Sequence, residues 1–493
     1  MRLFLFGIGG TGGRVIEALT FLLASGVELV NEQNQPVEVI PILLDTDKAN
    51  KDTLDGASAL ELYQRLHAKC ESGGKEGFFS TKINPLSSLA NAANPGISKT
   101  FQLNYSGVEN ATFREFIGFN QIEDFETKRL LEVLYSEDNL NDRLTGGFLG
   151  NPNIGSVVLS GFQESADYKL FASAFLPGDR VFIVGSIFGG TGAAGMPWLL
   201  KALRSHAAVP AAAGQQHNAA IGTSAIGALI VLPYFKLQEE TTSRIDSNVF
   251  ITKTKAALSY YSQHVRGFNS VYYIADTALS SYANHESGAK QSNDAHVVEL
   301  LGALAILHFV KSSDTACLPP AESYHEYAIG ENTSSLDFST IGQDSAKLIA
   351  KNLTQLQMLA LLDTGHFRQA IQQTWAISNG FDSRFYNSSD YRDGLSKFLT
   401  SHYSTWIRQL AGNHRAFAPF CPVANLDDMS EMRVDQVAKR RAFYTPRLGD
   451  ELFDMKANAM ARGSRRLQEP IGRFLALWWN VTSVVYDESY ESF

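Results

Sequence analysis

Apolar runs of strand length recur along this chain, and the strongest of them end in glycines that lead into apolar residues at helical spacing. Residues 3–6, Leu-Phe-Leu-Phe, run into Gly7-Ile-Gly9-Gly10-Thr11-Gly12-Gly13, after which Val15, Ile16, Leu19, Leu22 and Leu23 mark one helix face. The stretch VFIVGSIFGGTGAAGMPWLLKAL, residues 181–203, repeats the pattern with Gly185 and the turn Gly189-Gly190-Thr191-Gly192. Residues 37–44 form a further run ending in Asp45-Thr46-Asp47, and residues 225–232 another ending in Pro233-Tyr-Phe235. Strands alternating with helices predict an α/β fold around a parallel sheet. Residues 295–310 are apolar nearly all round, which predicts a buried helix about 24 Å long.

The remainder is less regular. An insertion of about a hundred residues, 48–146, holds a loop-rich part, 72–96, and helical stretches around 111–117 and 125–135. Residues 147–155 read as turn chemistry, with Pro152 and two asparagines fixing bends, and residues 207–223 as a surface loop. In the last third, 348–362, 395–410 and 434–442 have helical spacing and strands are few. The expected organisation is therefore an α/β domain over 1–294, a central helix over 295–310, and a mainly α or α+β domain over 311–493.

Composition narrows the function classes. With 493 residues, 44% hydrophobic and 19% charged, the chain can bury a large core in more than one domain. A net charge of −9 argues against nucleic acid as the main partner. Cys70, Cys317 and Cys421 lie far apart without metal-ligand spacing, and no run approaches a membrane span or a signal peptide. A reducing, cytoplasmic setting is expected.

Glycines between a strand and a helix let backbone N–H groups approach an anion at the positive end of the helix dipole. Gly7 to Gly12 fits the dinucleotide fingerprint G-x-G-x-x-G, although Asp45 comes later than the roughly 20 residues at which a ribose-binding acid belongs. A Rossmann oxidoreductase or an adenylating enzyme is thus one reading. It has no need of a second and third glycine loop, and G-x-x-x-x-G-K-[ST] is absent from the chain.

Taken in order, GIGGTGG, LLDTD, GFLGNPNIG and FGGTGAAGMP resemble the nucleotide loops of the tubulin/FtsZ superfamily, over residues 1–310. The resemblance implies a tubulin/FtsZ-like domain binding GTP or GDP, with room for Mg2+. It assigns Gly9, Gly10, Thr11 and Gly12 to the α- and β-phosphates, Asp45 and Thr46 to the phosphate and metal region, and Gly150 and Asn151 to the γ-phosphate. Gly189, Gly190, Thr191 and Gly192 answer to the signature G-G-G-T-G-[ST]-G, in which Phe188 stands for the first glycine, Ala193 for the hydroxyl residue and Ala194 for the last glycine. Glu240 and Arg244 repeat the spacing by which the family holds ribose and base, a spacing that a surface i,i+4 pair shares. Asn293 and Asp294 resemble the pair that reads guanine, since a carboxylate accepts from its N1–H and N2–H donors; both residue types also suit a helix N-cap.

Past the central helix the resemblance thins. The family completes its site with an acid from a neighbouring subunit, and the candidates here, Asp314 and Asp337, lack the family spacing. Asp337 also reads as an Asp in a polar loop before a helix. The expectation is slow or absent GTP hydrolysis in a site shared between subunits. Self-association follows from the resemblance, with a non-polymerising GTP-binding scaffold or sensor as the alternative. Residues 433–473 carry ten Lys/Arg against five Asp/Glu ahead of an apolar stretch with Trp478 and Trp479. Those tryptophans suit core packing or peripheral contact with a membrane, and the insertion or the C-terminal domain could bind other proteins.

Overall fold

Strand residues alternate between two apolar layers. Leu3, Leu5, Phe182, Val184, Leu229 and Val231 belong to one buried cluster, while Phe4, Phe6, Ile8, Val181, Ile183, Ile226, Ala228 and Ile230 belong to the other. A sheet buried on both faces explains why these strands read as unbroken apolar runs. The computed structural model describes residues 1–70, 76–90, 96–103, 108, 111–144, 148, 151–207, 217–238, 250–277, 280–283, 293–312, 322–328, 333–421, 433–434, 448–461 and 469–490.

The strands up to residue 328 are β1 (Arg2–Ile8), β2 (Glu38–Leu44), β3 (Arg180–Ser186), β4 (Ile226–Val231), β5 (Phe235–Leu237), β6 (Ser270–Ala275), β7 (Ser280–Tyr282) and β8 (Ser323–Ala328). Six of them form one parallel sheet in the order β2-β1-β3-β4-β6-β8, and β5 pairs with β7. The helices up to the centre of the chain are α1 (Gly9–Ala24), α2 (Lys51–His67), α3 (Phe113–Phe116), α4 (Phe125–Leu134), α5 (Glu137–Asn141), α6 (Pro152–Leu159), α7 (Ala166–Ala174), α8 (Gly190–Ser205), α9 (Ala219–Thr223), α10 (Phe250–His264) and α11 (Val297–Lys311). Residues of α1, α2 and α11 share one apolar layer with the C-terminal helices, and residues of α6, α7 and α8 lie in the other. The α/β class with a parallel sheet is as the sequence implies.

Some glycines act in this packing. A Cβ on Gly12 would sit 2.5 Å from the Gly7 carbonyl carbon, and one on Gly56 would sit 2.8 Å from the Gly13 carbonyl oxygen. Gly12 therefore seats α1 on β1, and Gly56 lets α2 close on α1. In α8, Pro197 cannot donate to the Ala193 carbonyl one turn back. The Tyr261 hydroxyl donates to that oxygen instead, at 3.3 Å.

Several elements differ from the sequence expectation. The stretch around residue 152 is the first turn of α6, because Asn151 caps it and Pro152 occupies its first position. Within 207–223 lies the short helix α9, capped by Asn218. The insertion does not stand apart from the domain: α2 packs on α1, and residues 83 and 102 form parallel bridges to β2 at the sheet edge. The central helix begins at Val297, where His296 caps it by accepting from the Val298 N–H and Glu299 completes a capping box. Between it and Asp337 comes β8, an edge strand of the six-stranded sheet.

The C-terminal part is helical, led by Gln343–Thr364 and Pro470–Ser489. Residues 433 and 434 pair as a short strand with Phe420–Cys421, and the rest of the 434–442 stretch lies outside the described residues. Trp478 is fully buried, its ring 4.7 Å from that of Phe367 and 5.1 Å from that of Trp375. Trp479 packs edge-on to Phe78 and covers Gly26 at the end of α1. Packing accounts for both tryptophans. Among the described residues no helix is long and apolar enough to cross a membrane.

Candidate nucleotide site

Two helix N-termini meet where β1 and β3 end. Gly9 adopts a left-handed φ of 69° to turn the chain into α1, and a Cβ built on it would lie 3.5 Å from the Thr191 Cβ and 4.0 Å from the Gly192 nitrogen. Among the described residues no side chain caps α1 or α8. The free N–H groups of two 16-residue helices, with their positive dipole ends, are thereby brought together. Gly10 faces Asn50 and Asp52 at the start of α2. Thr11 is buried and Thr191 half-buried. Gly192, like Gly12, serves packing, since a Cβ there would press on the backbone of Ser186.

The departures from the family signature have local causes. Phe188 is buried against Tyr234, Phe235 and Phe250, with ring centroids 5.2 to 6.3 Å away. The Ala194 methyl packs toward α6, where a Cβ on Gly155 would come within 2.8 Å of it. That methyl is spent on helix packing.

At the end of β2, Asp45 is half-buried; its carboxylate accepts from the Thr53 hydroxyl and the Asp47 N–H, both at 3.1 Å. Burial pushes its carboxyl up to about 7 in spite of those bonds. Thr46 is 4% exposed and its hydroxyl finds no hydrogen-bond partner among the described residues. Such an orphan costs about 1–3 kcal/mol, which a ligand oxygen would relieve. Asn151 accepts from the Asn153 N–H as the α6 cap. Gly150, Glu240, Arg244 and Asp314 lie outside the described residues.

Asn293 and Asp294 precede the central helix and do not cap it. The Asn293 N–H reaches the Asp52 carboxylate at 3.4 Å, which places this segment one side chain away from Gly10. The Asp294 side chain is exposed and makes no hydrogen bond among the described residues. Asp337 is committed to its own turn, accepting from the Ser339 hydroxyl at 2.7 Å and the Thr340 N–H at 3.0 Å. Among the described residues no three His, Cys, Asp or Glu side chains come together as metal ligands.

A buried charge cluster beside the site is not anticipated by the sequence analysis. Arg14, in the second turn of α1, lies 2.8 Å from both Asp52 and Glu299 and donates to the Tyr234 hydroxyl. Burial pushes the Glu299 carboxyl up to about 7, with Arg14 pulling the other way, and raises that of Asp52. Next to it, Asp276 pairs with Arg415 at 2.7 Å and with His296 at 3.4 Å. A charged residue on an otherwise apolar helix face is the one sequence signal that could have marked Arg14.

No family model and no curated protein matches the chain. Among solved structures it is similar to two tubulin/FtsZ-like CetZ proteins. CetZ from Methanosaeta thermophila aligns at 14% identity over 55% of this chain and 45% of that one, with a TM-score of 0.26. CetZ2 from Haloferax volcanii, solved as a GTPgS-bound protofilament, aligns at 13% identity over 63% and 58%, with a TM-score of 0.27. The chain spans about half the length of either. Likeness at this level transfers no site residue.

Proposed function

We propose that this chain is a divergent tubulin/FtsZ-like protein that binds a guanine nucleotide. The observation that carries the reading is the convergence of the uncapped N-termini of α1 and α8 at Gly9 and Thr191. Two dipole ends and their free N–H groups suit the higher charge of a nucleoside di- or triphosphate, whose terminal phosphate is unesterified, whereas a dinucleotide enzyme sets one helix N-terminus against its pyrophosphate. Gly9, Gly10, Gly189, Gly190 and Thr191 hold the phosphates, with Thr11 close by. The orphaned Thr46 hydroxyl donates to a phosphate oxygen, and Asp294 accepts from guanine. Mg2+ would ride on the phosphates, with Asp45 as its protein partner.

Hydrolysis is slow or absent in this reading. The acid that orients the attacking water in the superfamily follows the central helix at a spacing that residues 311–320, with Asp314, do not keep, and the Asp337 carboxylate is tied into its own turn. Self-association rests on the sequence resemblance alone. Mass spectrometry of the nucleotide released from purified protein tests the reading: guanine nucleotides support it, and NAD or ATP alone would replace it with the dinucleotide or adenylating alternative.

A further inference from the structure

The peptide that carries Asp294 is held from outside the nucleotide-binding domain. Both polar groups of Ala295 are satisfied by side chains at the end of the C-terminal helix Ser404–Gly412: its N–H donates to the Gln409 carbonyl oxygen at 3.2 Å, and its carbonyl accepts from the Asn413 amide at 2.9 Å. The same Asn413 amide donates to the Tyr282 hydroxyl at 3.0 Å, which in turn donates to the Asp294 carbonyl at 3.3 Å. The Asn413 carbonyl oxygen accepts from the Ser280 hydroxyl and from the His414 N–H. Asn413 thus uses both donors and its acceptor on this one junction. Two residues on, Arg415 pairs with buried Asp276, which faces His296.

An extended lead-in has no helical hydrogen bonds of its own, so side chains place it: Asp52 accepts from the Asn293 N–H and Glu299 from the His296 N–H, while Gln409 and Asn413 hold Ala295 between them. We infer that Gln409 and Asn413 are positioning residues for the base: they fix Asp294, and so make guanine recognition depend on how the C-terminal helix is seated. The inference rests on the reading that Asp294 accepts from guanine. Linkage then works in both directions, and a bound guanine nucleotide holds helix Ser404–Gly412 in place.

The test compares affinities of the full chain for GTP and for inosine triphosphate, which keeps N1–H and lacks the exocyclic amine. The wild type prefers GTP. Asn413→Ala and Gln409→Ala each reduce the GTP to inosine triphosphate ratio by about fivefold or more, while affinity for inosine triphosphate, which loses only the N1–H contact to Asp294 and keeps its contacts to the phosphate loops, falls less. Gln409→Glu keeps the acceptor for the Ala295 N–H and retains the wild-type ratio, which a general loss of stability would not reproduce. Should Asn413→Ala fail to fold, the two Gln409 variants decide alone. A wild-type ratio in Gln409→Ala overturns the inference even though GTP binds. A wild type that does not distinguish the two nucleotides overturns the reading of Asp294 itself, and the inference with it.

Discussion

Arg14 and Glu299 form an ion pair buried between the first glycine helix and the central helix, with the Arg14 Nε 2.8 Å from the Glu299 Oε1. The contact is ionic and not a well-aligned hydrogen bond, because the better-directed bonds of Arg14 go to Asp52 and Tyr234. One cation thereby holds three elements, α1, α2 and α11, around the site. Removing it leaves two buried carboxylates facing each other. Arg14→Met is expected to lose about 3–5 kcal/mol in chemical denaturation, part of which Glu299→Gln in the same chain restores. A loss below about 1 kcal/mol, the value of an exposed pair, would mean that the cluster does not hold the helices together.

The same carboxylates set a pH dependence. Glu299 has a folded value of about 7 against 4.5 ordinarily, so between those limits the folded state binds the proton and the unfolded state does not. Stability from this group is therefore lost as pH rises from about 4.5 through 7. Asp45, also near 7, acts in the same direction. Glu299→Gln should make the melting temperature fall less steeply across that window without abolishing the slope. His296, lowered to about 4 by burial, works with the opposite sign below its ordinary value of 6.5. The comparison of variant with wild type isolates Glu299, and identical slopes would contradict its raised value.

Glycines that bind and glycines that pack should separate on substitution. Among the described residues a Cβ on Gly189 meets only the Ser186 hydroxyl oxygen, at 3.3 Å, so Gly189→Val is expected to fold with a melting temperature near that of the wild type while losing most nucleotide affinity. Gly12→Ala drives a methyl against the Gly7 backbone and should destabilise the chain whether or not nucleotide is present. Thr191→Val should weaken binding by about 1.5–3 kcal/mol, the value of a hydrogen bond to a charged group. Unchanged affinity in Gly189→Val would make the loop a packing device only.

Much of the first domain was legible because the physics there is local. The runs at 3–6 and 181–184 are buried on both faces, and the glycines after them mark strand-to-helix turns whose spacing a sequence displays. The start of the central helix was misplaced by two residues because Ala295 is apolar, and the cap is a histidine whose ring accepts from the Val298 N–H. The Arg14, Asp52 and Glu299 cluster could not be read, since its members meet only after three helices pack. The grip of Asn413 on Ala295 joins residues 118 positions apart and leaves no periodic trace. β8 was missed because an edge strand with exposed side chains lacks the apolar signal of its neighbours.

Turnover is expected to be slow and shared between subunits. A water held by no well-placed carboxylate loses the positioning that proximity and general-base help supply. Phosphate release followed over a roughly hundredfold range of protein concentration should show little activity, with any rate per molecule rising as concentration rises. Brisk hydrolysis at a constant rate per molecule on dilution would place the catalytic group within one chain.

The most direct test is calorimetry of the nucleotide-free protein with GTP, ATP and NAD, repeated for Asp294→Ala. GTP or GDP should bind in preference to ATP, and the variant should lose about 1–3 kcal/mol of guanine affinity, the value of one good contact to a base edge, while ATP binding stays as it was. ATP or NAD bound as tightly as GTP by the wild type, or undiminished GTP affinity in Asp294→Ala, would contradict a tubulin/FtsZ-like guanine site in this chain.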